Sequence, residues 1–172
     1  MRRRCFSARS SAAAPSSGSA EPVNLQAIRE GLKDVISAVP GVRAYDHDPS
    51  QIVSSPDAIA VTIKPAAQHV DYHQAFARGL AIVYYTLHPF VAAADRRSAQ
   101  NQLDALLSSG TDETRSLIDA LMTAPRNLAG ACADLVVNDV SNVTMASAAP
   151  TDPASPLFLT CDIAVRIYVG RT

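Results

Sequence analysis

The sequence predicts an α+β domain in which an antiparallel or mixed β-sheet carries two to three helices packed on one face. Three segments repeat apolar residues at helical spacing, and several others alternate apolar and polar residues as strands do. The predicted order is α-β-β-β-α-α-β-β-β. This order lacks the repeated βα alternation of a doubly wound sheet, so it favours helices grouped on one side of the strands.

The N-terminal segment 1–22 is rich in arginine, serine, alanine and proline and has no acidic residue before Glu21. Such a composition predicts a disordered basic tail, followed by one α+β domain over residues 23–172. The same composition is typical of an organellar transit peptide, and a translation start upstream of the natural one would explain it equally well. Both origins remain open.

The first predicted helix begins at Leu25, with Asn24 as its cap, and ends at Pro40-Gly41. Residues 42–45 then form a short predicted strand. A turn-rich loop is expected over residues 46–57, because this segment contains two prolines and several aspartate and serine residues.

Two further strands are predicted before the middle helices. Residues 58–64 alternate and are expected to form a strand that Pro65 stops, with a second loop over residues 65–76. Residues 77–88 are apolar on both faces, which indicates a central strand covered on both sides. Helices are then expected from Asp95 to Ser109 and from about Asp112 to Thr123.

The C-terminal third is predicted to return to strands. Residues 135–140 and 143–145 are expected to form two strands joined near Ser141-Asn142, ahead of a proline-containing loop at 148–156. Residues 157–169 alternate strictly and give the clearest strand of the chain. At about 3.3 Å per residue this strand spans roughly 40 Å, so we expect it to project beyond its own sheet and offer its backbone to a partner.

The charge distribution bears on possible partners. The chain carries 15 basic and 16 acidic residues, and four of the basic ones lie before position 10. Beyond the first twenty positions the chain therefore holds 11 basic and 16 acidic residues, a balance of −5. A surface of that sign repels phosphates, so we expect no autonomous binding of nucleic acid by the domain. No apolar run reaches the roughly 20 residues that a membrane span needs.

Motifs for catalysis are sparse, and no catalytic, cofactor-binding or metal site is predicted. There is no GxSxG motif and no glycine-rich phosphate loop. The alternative from the enzyme class is a metal-dependent hydrolase built on His47, His69 and His73, since the first lies between two aspartates and the other two are four residues apart. Turn-rich surroundings favour ordinary solvated side chains there. Cys132 and Cys161 are expected to be buried, unpaired thiols.

The ordered set of segments resembles the tail terminator proteins of long-tailed bacteriophages, particularly those of actinobacterial hosts. The resemblance covers roughly residues 24–171 of the sequence. In the N-terminal half it rests on the first helix, which ends in Val39-Pro40-Gly41-Val42-Arg43-Ala44-Tyr45-Asp46, and on the Pro56-to-Pro65 strand. Next come the long apolar strand and the helix after it, with Arg97, Ala99-Gln100 and Leu103-Asp104. The last two signals are Leu128-Ala129-Gly130 before a strand and the alternating final strand.

This resemblance implies a virion structural protein, assembled in the bacterial host cytoplasm, without catalysis or cofactor. Proteins of this kind form a ring, typically of six subunits, on the head-proximal end of the tail tube. The ring stops tube polymerisation and docks the tail to the head–tail connector. The expected partners are further copies of the chain, the major tail tube protein and the connector, with DNA passing through the lumen without sequence-specific binding.

Two sets of contact residues are predicted on this basis. Lateral contacts within the ring are expected from the apolar strands and the helix that begins near Asp95: Arg96, Arg97, Asp104, Tyr84, Phe158, Arg166 and Tyr168. Axial contacts are expected from the loops: Asp46, His47, Asp48, His69, Tyr72, His73 and Asp152. Another neck component, such as a head–tail adaptor or a tail-completion protein, fits the same pattern, and an organelle-targeted small protein remains a third option.

Overall fold

The computed structural model describes residues 23–47, 58–72, 81–93, 95–110, 116–124, 128–147 and 156–170. The predicted tail and the contact residues Asp48, His73 and Asp152 lie outside these described residues. The elements are α1 (Leu25–Ser37), β1 (Val42–Tyr45), β2 (Ile59–Asp71), β3 (Ala81–Ala92), α2 (Arg96–Leu107), α3 (Leu117–Thr123), β4 (Asp134–Ser147) and β5 (Leu157–Val169), with a single 3-10 turn (Leu128–Gly130) before β4.

The strands form one mixed sheet in the order β1-β2-β3-β5-β4. β1 pairs with β2 in parallel, and the other neighbours are antiparallel. The predicted α+β class with a mixed sheet is therefore confirmed, and β3 is its central strand, as its apolar sequence indicated. Within the described residues, no helix is both long and apolar enough to span a membrane.

The helices begin at side chains that cap them. The carboxamide of Asn24 accepts a hydrogen bond from the backbone N–H of Ala27 at 3.0 Å, as the sequence predicted for α1. Asp95 does the same for α2, accepting from Ser98 at 2.9 Å. Ser116 caps α3, which begins later than the expected Asp112; residues 111–115 are outside the described part.

One hydrophobic core lies between the helices and one face of the sheet. α1 contributes Ile28, Leu32 and Ile36, each fully buried, and α2 and α3 add leucines of the same kind. Alternate residues of β3 and β5 complete the core: Val83, Tyr85, Leu87, Val91, Leu159, Cys161, Ile163, Val165 and Ile167. At about 1.5–3 kcal/mol for each large apolar side chain, this layer is the main source of stability.

Pro65 does not stop β2, contrary to the prediction. The strand continues to Asp71, with a bulge between Pro65 and Val70. β1 pairs with β2 only as far as Thr62. Among the described residues, therefore, no strand lies beside Pro65 on the β1 side, where a backbone N–H, which proline lacks, would be needed as a donor. The predicted second loop is therefore strand and bulge over residues 65–71.

The two strands predicted around Ser141-Asn142 are the single strand β4, so that prediction was wrong. Irregular register occurs between Val137 and Asp139 and between Ser141 and Thr144. Asn142 takes a positive φ of 54°, a conformation that asparagine tolerates better than most residues. The local turn signal therefore marks a β-bulge and not a hairpin.

β5 does not project from the sheet, so the expectation that its end would reach a partner was wrong. It pairs with β3 from Phe158 to Val169 and with β4 from Leu157 to Tyr168, so both of its sides are hydrogen-bonded along nearly all of its length. The outer strands of the sheet are β1 and β4. Among the described residues, a contact through a strand edge can use only one of those two strands.

Candidate functional site

The sheet has a second face against which none of the described helices packs, and we call it the helix-free face. Even-numbered residues of β3 and β5 project from it, because side chains alternate along a strand. Most of these side chains are half-buried, including Tyr84, Thr86, Asp162, Ala164 and Arg166. Phe158 and Thr160, on the same face, are 2% and 8% exposed. The face is thus a mixed polar and aromatic surface.

An aromatic and cationic cluster lies on the helix-free face. Tyr84 and Arg166 are opposite each other on β3 and β5, and the guanidinium carbon lies 5.6 Å from the centre of the tyrosine ring. A hydrogen bond with Tyr168 raises the pKa of Arg166, so its positive charge is retained. The side chain of Val136, opposite Arg166 on β4, is 42% exposed. Three of the predicted lateral residues, Tyr84, Arg166 and Tyr168, are therefore brought together in one cluster.

A polar network ties three strands together on the same face. His88 Nδ1 lies 2.7 Å from one carboxylate oxygen of Asp162, and the Asn142 side-chain amide donates to the other oxygen, also at 2.7 Å. The network joins β3, β5 and the bulge of β4. His88 and Asp162 were not predicted as a pair, because they are far apart in the sequence and meet only through the register of β3 and β5.

His88 does not form a nucleophile–base pair with Thr62, the residue opposite it on β2. Thr62 is opposite His88 in the sheet and is 1% exposed, but its hydroxyl oxygen has no hydrogen-bond partner in the structure. A catalytic base must lie within hydrogen-bond reach of the hydroxyl that it activates, and the hydroxyl must be accessible to substrate. Thr62 meets neither condition.

The remaining predicted lateral residues lie elsewhere. Arg96, Arg97 and Asp104 are exposed on α2, and Asp104 accepts a hydrogen bond from Gln100 at 2.8 Å. Because α2 packs over β3 and β5, these charges lie on the outer side of the helix layer. Phe158 is buried and meets Phe90 edge-on, with ring centres 6.2 Å apart. The predicted lateral set is therefore divided between opposite sides of the domain and one buried position.

The described axial residues lie at two different levels. His47 Nδ1 contacts Asp46 at 2.8 Å, and Lys33 contacts the same carboxylate at 3.5 Å. The hydrogen bond with His47 is the main cause of a lowered pKa at Asp46. Tyr72, 52% exposed, follows the end of β2, ten residues beyond the position that pairs with Tyr45. Because the bulge takes up some residues of β2, the distance is read along β3, where six residues separate the partners of Thr62 and Asp71, or roughly 20 Å at about 3.3 Å each.

His69 is not on an exposed loop, contrary to the prediction. It lies in the β2 bulge with its ring centre 5.0 Å from that of Tyr85, edge to face, and its Nε2 atom is enclosed without a hydrogen-bond partner. The Tyr85 hydroxyl donates to the Leu25 carbonyl at 3.3 Å. Burial, and secondarily the charge of Arg29 on α1, lower the pKa of His69, which favours a neutral ring.

The histidines do not come together in the part of the chain that the structure describes. His47 is paired with Asp46 and His69 packs on Tyr85, whereas His73 lies outside that part. Among the described residues, no group of three or more histidine, cysteine, aspartate or glutamate side chains is placed to hold a metal ion. Cys132 and Cys161 are buried, as expected, and burial raises the pKa of each thiol to about 11.

The two outer strands differ in length and charge. β1 has four residues, including the exposed Arg43 and no acidic residue. β4 has 14 residues, including Asp134 and Asp139 and no basic residue, and Val140 and Val143 on it are 38% and 53% exposed.

When the chain was compared with known proteins, no family model and no curated sequence matched it.

Proposed function

We propose that this chain is a structural subunit that closes into a ring on the head-proximal end of a phage tail tube. There it stops addition of tube subunits and docks the tail to the head–tail connector. The phage context comes from the sequence resemblance over residues 24–171. The structural support comes from the surfaces that remain outside the core, chiefly the helix-free face.

The Tyr84–Arg166–Tyr168 cluster is the observation that carries the proposal. Its side chains are half-buried and held by each other, yet they lie outside the hydrophobic core. Tyrosine and arginine are the side chains that most often dominate the binding energy of protein–protein contacts. Side chains that are fixed before binding lose little conformational entropy on binding. The exposed Val136 beside them adds apolar area that a partner would cover.

The axial residues support a subunit with two different docking levels. Asp46 and His47 lie beside the middle of β2, whereas Tyr72 lies at its far end. A terminator must present a surface that matches the tube on one side and a different surface to the connector on the other, since repeated identical contacts would continue without limit. Separate polar and aromatic groups, roughly 20 Å apart along the sheet, suit this requirement.

Loss of the gene from its phage tests the assignment within the particle. A terminator that is missing leaves tube growth unchecked, so electron microscopy should show overlong tails that are not joined to heads. Heads without tails, accompanied by free tails of normal length, would instead favour an adaptor or completion protein. Normal infectious particles would contradict a role in the neck altogether. Complementation with the wild-type chain is the control for effects on neighbouring genes.

A further inference from the structure

The opposite edges of the sheet carry opposite charges on the same face. Arg43 on β1 is opposite Ala60 of β2, and Asp139 on β4 is opposite Ala164 of β5. Opposed residues in neighbouring strands project from the same face, and Ala164 belongs to the helix-free face. Ala60 is on that face as well, because it is opposite Phe90 of β3. Arg43 and Asp139 therefore project from the helix-free face, at its two edges.

These two charges are available for an intermolecular contact. Both side chains are exposed, and neither takes part in an ion pair within the described residues. Four strand spacings separate the two edges, or roughly 19 Å at about 4.8 Å each, which is too far for a pair within one chain. A second copy of the chain can bring its own acidic edge to the basic edge of the first.

We propose that neighbouring copies contact each other head to tail, with the β4 edge of one copy on the β1 edge of the next and Asp139 paired with Arg43. This contact rests on the proposed ring and names its lateral surface. On the other face of the same edge, opposite Ile163, the partly exposed Val140 would lie beside the neighbouring strand. Two unlike edges make a heterologous contact, which closes into a ring when the rotation between copies allows it.

The register adds a geometric requirement to this contact. Arg43 aligns across the sheet, through Ala60 and Phe90, with Thr160 of β5, whereas Asp139 aligns with Ala164. The two charges are thus offset by four residues along the strands, or roughly 13 Å at about 3.3 Å each. Neighbouring edges must be staggered by that amount to form the pair. Strands that close around an axis are staggered in this way.

A two-fold contact between two β4 edges is the competing arrangement, and the charges oppose it. Asp139 lies near the middle of β4, so antiparallel pairing of two copies would bring Asp139 close to its own equivalent. Like charges opposite each other destabilise strand pairs. No basic residue on β4 is available to offset them. The unlike edge, with Arg43, is the better partner.

Charge exchange tests the contact in the full chain. Arg43→Glu and Asp139→Arg should each reduce the oligomer fraction several-fold at fixed concentration in sedimentation velocity, and the double variant should recover most of it. Arg97→Glu reverses a charge on α2 that was itself predicted as a lateral contact, so it discriminates between the two surfaces: the edge contact predicts an unchanged oligomer fraction. Far-UV circular dichroism checks that each variant is folded. We expect all of them to fold, because the three side chains that are changed are exposed.

The outcomes separate this inference from the proposed ring. A wild-type oligomer that tolerates both single reversals overturns the edge contact and leaves the ring standing. If the oligomer is lost with Arg97→Glu but kept with Arg43→Glu, the contact lies on α2 and the edge contact is overturned. Two single variants that fail without recovery in the double variant show that the two residues are not paired. A wild-type chain that stays monomeric at all concentrations overturns both proposals.

Discussion

The imidazole of His88 lies 2.7 Å from the carboxylate of Asp162, and this contact fastens β3 to β5 on the helix-free face. The second oxygen of Asp162 accepts a hydrogen bond from Asn142, which holds the irregular part of β4 in place. One carboxylate therefore supports both the centre of the sheet and the bulged part of its acidic edge. The partly exposed network stabilises the surface on which the proposed ring depends.

Removal of that carboxylate should weaken the fold measurably. Asp162→Ala removes the acceptor for both His88 and Asn142, so we expect the free energy of unfolding in urea to fall by roughly 1–2 kcal/mol. Asp104→Ala is the matched control, since it loses one exposed helix-surface hydrogen bond with Gln100 and should change stability by less than about 0.5 kcal/mol. Equal effects of the two substitutions would show that the network contributes nothing beyond an ordinary surface contact.

Stability should fall on mild acidification because of His69. Its pKa is lowered in the folded state by burial and by Arg29, from an ordinary value of 6.5. As the pH falls below 6.5, the unfolded chain takes up the proton first, and the folded state loses stability; above 6.5 the contribution is fully present. Urea unfolding at pH 7.5 and 5.5 measures the difference.

The variant His69→Gln should show a smaller loss between those two pH values than the wild type. His47→Gln is the control, because His47 is exposed and lies in contact with Asp46 at the surface. It should retain the loss seen in the wild type. A His69→Gln variant with an undiminished pH dependence would show that another group is responsible.

The buried thiols should resist alkylation in the folded protein. With a pKa of about 11, Cys132 and Cys161 have roughly a thousandth of their thiol as thiolate at pH 8, and both side chains are also enclosed. The third cysteine of the sequence, Cys5, is first replaced by serine (Cys5→Ser). In that background, iodoacetamide should add no mass to the native chain within an hour and should modify both remaining cysteines in urea. Rapid labelling of the native chain would show that the region around one of them opens readily.

The elements with strong local periodicity were predictable from sequence. Asn24 and Asp95 marked the starts of two helices, and strict alternation gave β5 at its observed bounds. The local rules failed at Pro65 and Asn142, where turn-forming residues lie in bulges and the strand continues. A bulge depends on the register of the neighbouring strand, which no local pattern contains.

The contact surfaces were less predictable for the same reason. Strand length suggested that β5 would reach a partner, but pairing on both of its sides leaves β4 as the long outer strand. Tyr84, Arg166 and Tyr168 were predicted as lateral contacts from their positions on two long apolar strands, yet their contact in one cluster follows from the register of β3 and β5. His88 was missed because its partner, Asp162, is distant in sequence.

Native mass spectrometry of the purified full chain, over a range of concentrations, tests the central claim most directly. The ring predicts one closed oligomer of defined size, close to six copies, that grows at the expense of monomer without an open series of larger species. A chain that remains monomeric at every concentration, or that forms only a two-fold dimer, would contradict it.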